Sequence, residues 1–298
     1  MSTTRRLEPG LWVILATPFT PAGDPDPDSL VRQVDLARSV GADGVVALGV
    51  FGEAAHLSQA EQRTVAATVA EAAGELPLVL GVAGRSTPVA VEQATNALEA
   101  AGRPARLMVQ ISSPETDTVV HHLTRVHEAT GAGIVLQDYP VASGVTVPPA
   151  RVAEIVARCP FVVAVKAEAP PTPEAIEVLT RTTDVPVFGG LGGVALVDEL
   201  AVGAAGAMTG FSHPEGLRAT LDAFTAGGFP AAREAWAPWL PLATFEQQPG
   251  IALAIRKALL HRRGILAHPG VRPPARALPD SFVPLLDHHL AAAPTGGR

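Results

Sequence analysis

Lysine is the scarcest charged residue of this 298-residue chain: Lys166 and Lys257 are the only two among 22 Lys and Arg. Where a cation need only be a cation, the chain uses arginine. Arginine stays protonated and cannot act as an amine nucleophile, whereas a buried lysine can lose its proton. Cysteine is almost absent too, and the single Cys159 excludes a disulfide framework and an all-cysteine metal site. There is one tyrosine, Tyr139. Net positive charge is also missing: 29 acidic against 22 basic residues give −7, so no net field draws nucleic acid or an anionic membrane. No apolar run is long enough to span a bilayer, and Met1 to Pro9 is polar with no secretory signal. A cytoplasmic protein is expected. With 47% hydrophobic and 17% charged residues the chain is neither disordered nor a coiled coil, and it is long enough for a large core.

Short apolar runs alternate with alanine-rich amphipathic segments. The strands read as Leu11–Ala16, Val45–Gly49, Leu78–Val82, Arg106–Gln110, Gly133–Gln137, Phe161–Lys166, Val185–Phe188 and Ala205–Thr209. Between them helices are expected, and Ser58 with Glu61 has the spacing of a capping box. Eight strands alternating with helices predict an α/β (β/α)8 TIM barrel. Residues 1–225 form the barrel in this reading. Residues 226–298 form a C-terminal helical extension packed on it, with breaks at Pro238, Pro241 and Pro269–Pro274 and a frayed end over 291–298.

The two lysines read differently. Lys257 lies in Ile251–Arg263 among other cations and reads as part of a solvated helix face. Lys166 ends a β-branched run that reads as a buried parallel strand, where an ammonium is either paired or deprotonated. A structural pair with Glu168, two residues on, is the plain alternative. In a (β/α)8 barrel the chemistry sits at the C-terminal strand ends. That rule selects Lys166 to Glu168 with Thr17 and Pro18, Val50 to Glu53, Gln110 to Ser113, Gln137 to Tyr139, Gly189 to Gly193 and Thr209 to Ser212. A lysine in an apolar pocket with a phenol nearby is what carbonyl chemistry through an imine requires. His121, His122 and His127 read as a solvated helix face without a zinc motif, and Glu53 as a residue that fixes its own turn. Gly190–Ala195 matches a dinucleotide fingerprint but lacks the acidic residue about 20 positions on, so no cofactor is expected.

Ala16–Phe19, Gly49–Glu53 with Leu57, Ser58 and Glu61, Tyr139-Pro140, Val165-Lys166 and Gly203–Thr209 occur in an order that resembles the pyruvate-dependent class I aldolases, the family of dihydrodipicolinate synthase and N-acetylneuraminate lyase. The resemblance implies that Lys166 forms an imine with C2 of pyruvate or a longer 2-keto acid. It implies that the backbone N–H groups of Val50 and Phe51 hold the carboxylate, that Gly189 and Gly190 leave room beside the keto acid, and that Met208 packs against it. Tyr139 is the expected phenol, with Gln137 holding a carbonyl or water. Matching Pro140 instead places Gln137 at the family's tyrosine position, and both alternatives stand. A homo-oligomer, dimer or tetramer, is implied as well.

The departures bear on the second substrate. Val50 and Phe51 replace the family's two hydroxyl residues, which removes a proton relay; a phenylalanine there is similar to hydratase-aldolases that act on benzylidene-pyruvates. No arginine follows the tyrosine motif, where Gly144 stands, and Leu191-Gly192-Gly193 offers no acidic side chains for a polyol. These features argue against lysine-pathway synthase and neuraminate lyase activity. They favour a 2-keto acid with an apolar or aromatic aldehyde. Dehydration or deamination of a 2-keto-3-deoxy acid through the same imine is the second reading, and a barrel that only binds a keto acid is the third.

Overall fold

The computed structural model describes residues 5–294. Eight parallel strands occur where the apolar runs predict them: β1 (Gly10–Ile14), β2 (Gly44–Ala47), β3 (Leu78–Val82), β4 (Arg106–Gln110), β5 (Ile134–Asp138), β6 (Val162–Ala167), β7 (Val187–Phe188) and β8 (Gly206–Thr209). They pair in the order β7-β6-β5-β4-β3-β2-β1-β8. Bonds from Ala205 N to Val187 O (2.7 Å) and from Met208 N to Gly189 O (2.9 Å) carry the ring round from β7 to β8. Both faces of each strand are covered, which is why β3 reads Leu-Val-Leu-Gly-Val with every residue buried instead of alternating. The inward faces fill the barrel with Trp12, Ile14, Val46, Val79, Met108, Val135, Phe188 and Met208. Trp12 meets Phe188 edge-on, with centroids 6.5 Å apart. The outward faces join the helices in a second apolar cluster.

Helix starts follow local chemistry. Ser58 and Glu61 form the expected reciprocal capping box at Gln59–Ala73, and prolines occupy first-turn positions in several other helices. The histidine-bearing helix Thr116–Thr130 corrects one expectation. His122 is buried with Nδ1 3.0 Å from Thr87 Oγ1, and His127 stacks on Phe161 at 4.3 Å, so these two rings pack and only His121 faces outward. After β8 the chain continues through helices Pro214–Trp236, Leu240–Glu246, Ala252–Arg262 and Val283–Ala292. The division at residue 225 falls inside the first of them, which kinks at Gly228 (φ 65°). Trp236, Trp239, Phe245, Ile255 and Leu259 belong to the same apolar cluster as the barrel's outward faces. Pro241 is accommodated in a helical first turn, and helix runs through Ala292 where fraying was expected; residues 295–298 lie outside the described residues. Among the described residues no helix is long and apolar enough to cross a membrane.

One buried carboxyl outside the barrel lumen gives the fold a pH dependence. Glu199 accepts from Thr172 Oγ1 at 2.5 Å, while its other oxygen has no partner among the described residues. Burial, chiefly, pushes its pKa up to about 7, although the Thr172 bond opposes the shift. A carboxyl that holds its proton more tightly when folded stabilises the protein fully below its unfolded value near 4.5. That contribution is lost as the pH rises through about 7. Glu199→Gln is therefore expected to reduce the loss of stability between pH 5 and pH 8 by roughly 1–3 kcal/mol. Urea unfolding of both proteins at the two pH values measures it; equal losses in both would refute the assignment.

Candidate active site

The C-terminal strand ends surround a cavity of about 270 Å³ lined by Ile14, Val50, Phe51, Met108, Gln137, Tyr139, Lys166, Glu168, Leu191, Thr209 and Arg256, among others. A larger cleft of about 600 Å³ opens beside the N-terminal ends of β3 and β4, near Glu71, Arg103 and Arg106, away from this chemistry. Lys166 is the sole lysine of the cavity wall. It points inward from β6 because it shares the parity of Ala164, which belongs to the barrel interior.

Lys166 and Glu168 are both buried, with Nζ 2.8 Å from Oε2. The same Oε2 accepts from Gln137 Nε2 at 2.7 Å, and Oε1 accepts from the Leu191 backbone N–H at 3.2 Å. Gln137 is the register partner of Lys166 across β5 and β6, so it stands directly beside the amine, while Tyr139 lies just past the end of β5. Burial and the negative charge of Glu168 raise the Tyr139 pKa against the opposing effect of Arg256, keeping the phenol a hydrogen-bond donor. Behind the strand, Asp138 has two buried oxygens without partners among the described residues; burial and then Glu168 raise its pKa to about 6.

The two glycines after β7 serve these carboxylates. A Cβ on Gly190 would lie 2.2 Å from Glu168 Oε1, and one on Gly189 would lie 1.8 Å from Glu199 Oε2. The missing side chains at these positions leave room for Glu168 and Glu199. Gly190→Ala is accordingly expected to push Glu168 off the lysine and, for the imine that the sequence resemblance implies, to slow borohydride trapping of pyruvate by about 100-fold. A rate within twofold of wild type would show that the placement of Glu168 does not matter. Met208 also differs from expectation: it is fully buried among Trp12 and Phe188, and Met108 lines the cavity instead.

The loop after β2 is held under strain. Leu48 (φ 58°) and Glu53 (φ 55°) adopt left-handed backbone unusual for bulky side chains, as does Leu191 (φ 48°) on the opposite rim. Gly81 lets the loop fold back, since a Cβ there would lie 2.1 Å from Leu48 O. Glu53 accepts from Lys257 Nζ at 2.8 Å and from the Arg272 backbone N–H at 2.8 Å, and Lys257 also donates to Thr17 O at 2.9 Å. This corrects two expectations. Lys257 is completely buried, not on a solvated face, and Glu53 holds the loop through a buried ion pair. Between these anchors lie Val50, which is exposed, and Phe51, which lines the cavity.

Sequence reasoning missed Arg256. No arginine follows the tyrosine motif, yet helix Ala252–Arg262 delivers one into the cavity wall, 4.9 Å above the Phe51 ring. Its Nε pairs with the fully buried Glu246 at 3.1 Å, and Nη2 donates to Gln247 Oε1. Glu246 also receives the backbone N–H and hydroxyl of Ser212, so Phe211-Ser212-His213 belongs to the packing between β8 and the C-terminal helices. Only helix packing reveals this arginine; no local motif marks it.

Comparison with known proteins identifies the family. The dihydrodipicolinate synthetase family model matches residues 8–292, and the chain belongs to that family. It is 35% identical to 4-hydroxy-tetrahydrodipicolinate synthase 1 of Streptomyces coelicolor, over 88% of this chain and 87% of that protein. It is 29% identical to L-2-keto-3-deoxyarabonate dehydratase of Azospirillum brasilense, over 93% and 92%. The crystal structure of dihydrodipicolinate synthase from Rhodopseudomonas palustris superposes with a TM-score of 0.89 at 29% identity, covering 97% of this chain and 99% of that one. Members of the family are class I lyases acting on small keto acids, and the chain is an enzyme of that class.

Proposed function

We propose that the protein is a Schiff-base lyase in which Lys166 forms an imine with pyruvate or another 2-keto acid and makes or breaks a bond to an aldehyde. The observation that carries the reading is the placement of Lys166. It is the sole lysine on the cavity wall, at a C-terminal strand end, with its amine 2.8 Å from a buried carboxylate. Glu168 takes a proton from the ammonium and the free amine adds to C2 of the keto acid. A second proton passes from the added nitrogen to the alkoxide, and the carboxyl returns its own as the hydroxyl leaves as water, giving the iminium. The iminium accepts the electron pair released when a bond at C3 breaks. In condensation Tyr139 donates a proton to the aldehyde oxygen as the bond at C3 forms, and in cleavage that hydroxyl proton passes back to Tyr139. Gln137 keeps Glu168 in line, and the backbone N–H groups of Val50 and Phe51 hold the keto acid's carboxylate. Apolar lining by Ile14, Phe51, Leu191 and Leu253 supports a partner with an apolar or aromatic body. The proposal includes a homo-oligomer, dimer or tetramer, in the cytoplasm, with the oligomeric state read by light scattering.

Glu168 also favours a second reading. A carboxylate beside the imine is placed to remove a C3 proton, after which a C4 hydroxyl leaves as water. This is dehydration of a 2-keto-3-deoxy acid, the type of reaction named for the Azospirillum relative. Incubation with pyruvate and sodium borohydride, followed by intact mass and peptide mapping, tests the imine. A reduced-pyruvate adduct on Lys166 is expected, and product analysis then separates carbon–carbon cleavage from loss of water. Absence of an adduct with pyruvate and with longer 2-keto acids would remove both readings and leave a keto-acid-binding barrel.

A further inference from the structure

We infer that Arg256 forms a second anion site in the cavity, so that the substrate carries a carboxylate at the end remote from the reacting keto group. This rests on the proposed keto-acid reading and names the chemistry of the substrate's far end.

The guanidinium is seated at the barrel mouth by more than its ion pair. A Cβ on Gly210 would lie 2.7 Å from the Phe51 ring and 3.3 Å from Nη1, and one on Gly192 would lie 2.9 Å from Gln247 Oε1 and 3.2 Å from Nη2, so these two glycines make room for the guanidinium together with the groups that hold it. Phe51 lies against its face at 4.9 Å. Glu246 Oε2 lies 3.1 Å from Nε as an ion pair without a hydrogen bond and Gln247 accepts from Nη2, while Nη1 makes no hydrogen bond among the described residues. Arginine has five donors, so this arrangement orients the group and leaves N–H capacity for a further acceptor. A pair needed only to join two helices of the C-terminal part would not have to bring its cation into a cavity between two glycines.

Charge accounting points the same way. The full positive charges on the cavity wall are Lys166, paired with Glu168, and Arg256, paired with Glu246; Lys166 is taken up by the imine, whereas Arg256 keeps donors beyond its ion pair. The backbone N–H groups of the β2 loop take the carboxylate beside the keto group. A second carboxylate therefore has Arg256 as its cation. The occupant that suits the lining has an apolar middle over Leu191 and Leu253 and acidic groups at both ends.

Borohydride trapping on the full chain tests this with matched five- and six-carbon 2-keto acids: 2-oxoglutarate and 2-oxoadipate, ending in carboxylate, against 2-oxopentanoate and 2-oxohexanoate, ending in methyl. For at least one length, the dicarboxylate is expected to reach half-maximal trapping at about tenfold lower concentration. The ratio should fall to within twofold of one in Arg256→Met. Because that variant strands Glu246, the neutral pair Arg256→Met with Glu246→Gln is made alongside, and ratios are read where the wild-type circular dichroism spectrum is kept. A wild-type ratio below twofold at both lengths overturns the inference without any variant, and so does a preference that survives removal of Arg256. If no keto acid is trapped, the imine reading has failed. The same ratio, measured by calorimetric titration without borohydride, then decides for or against Arg256 independently.

Discussion

Lys166→Arg is expected to fold like wild type, to form no borohydride adduct at position 166, and to lose at least about 10⁴-fold in turnover. The substitution is chosen for what it keeps. Glu168 is buried and takes its positive partner from Lys166. Lys166→Ala would strand that carboxylate at a cost of roughly 3–5 kcal/mol, so an inactive alanine variant would not separate lost chemistry from a damaged site. Arginine preserves the cation but cannot release a proton to become a nucleophile. The chain's shortage of lysine sharpens the readout, because Lys257 is the only other lysine side chain that peptide mapping has to consider. Lys257 is itself completely buried against Glu53. An adduct and near-normal turnover in Lys166→Arg would move the chemistry away from β6 and end the proposed mechanism.

The parts of this site that lay in the sequence are those carried by strand ends. A parallel barrel buries both faces of each strand, so its strands read as short apolar runs. A polar residue ending such a run, as Lys166 does after Val162–Val165, marks the mouth. The two-residue period placed Glu168 on the lysine's face, and the structure puts it 2.8 Å away. What the sequence could not carry was the contribution of elements distant along the chain. Arg256 reaches Phe51 across about 200 residues, and only the packing of the C-terminal helices determines that meeting. Gly189 and Gly190 show a related limit. Their smallness was legible, but the neighbours that need the space, Glu199 and Glu168, come from a helix and from just past the end of β6.

Lys257→Met is expected to lower stability by roughly 3–5 kcal/mol, a fall in Tm of roughly 6–20 °C for a chain of this size. The helix carrying Lys257 has arginines and histidine nearby and reads as solvated, yet it lies across the barrel mouth and seals its ammonium between Glu53, the Thr17 carbonyl and the Phe19 ring at 4.3 Å. Removing the cation leaves the Glu53 carboxylate buried with the Arg272 backbone N–H, and leaves the Thr17 carbonyl without its donor. Desolvation dominates such a site, so the neutral combination Lys257→Met with Glu53→Gln should recover most of the loss although it contains more substitutions. Thermal unfolding of the two variants checks the sign. A double variant no more stable than the single one would place the cost in the Thr17 and Phe19 contacts, not in the stranded charge. The pair also bears on function, because Glu53 sits at φ 55° and fixes the end of the loop that presents Val50 and Phe51. In the double variant, pyruvate trapping is therefore expected to need about tenfold more pyruvate even where the fold is recovered, since the N–H groups proposed to bind the carboxylate lose the anchor that orients them.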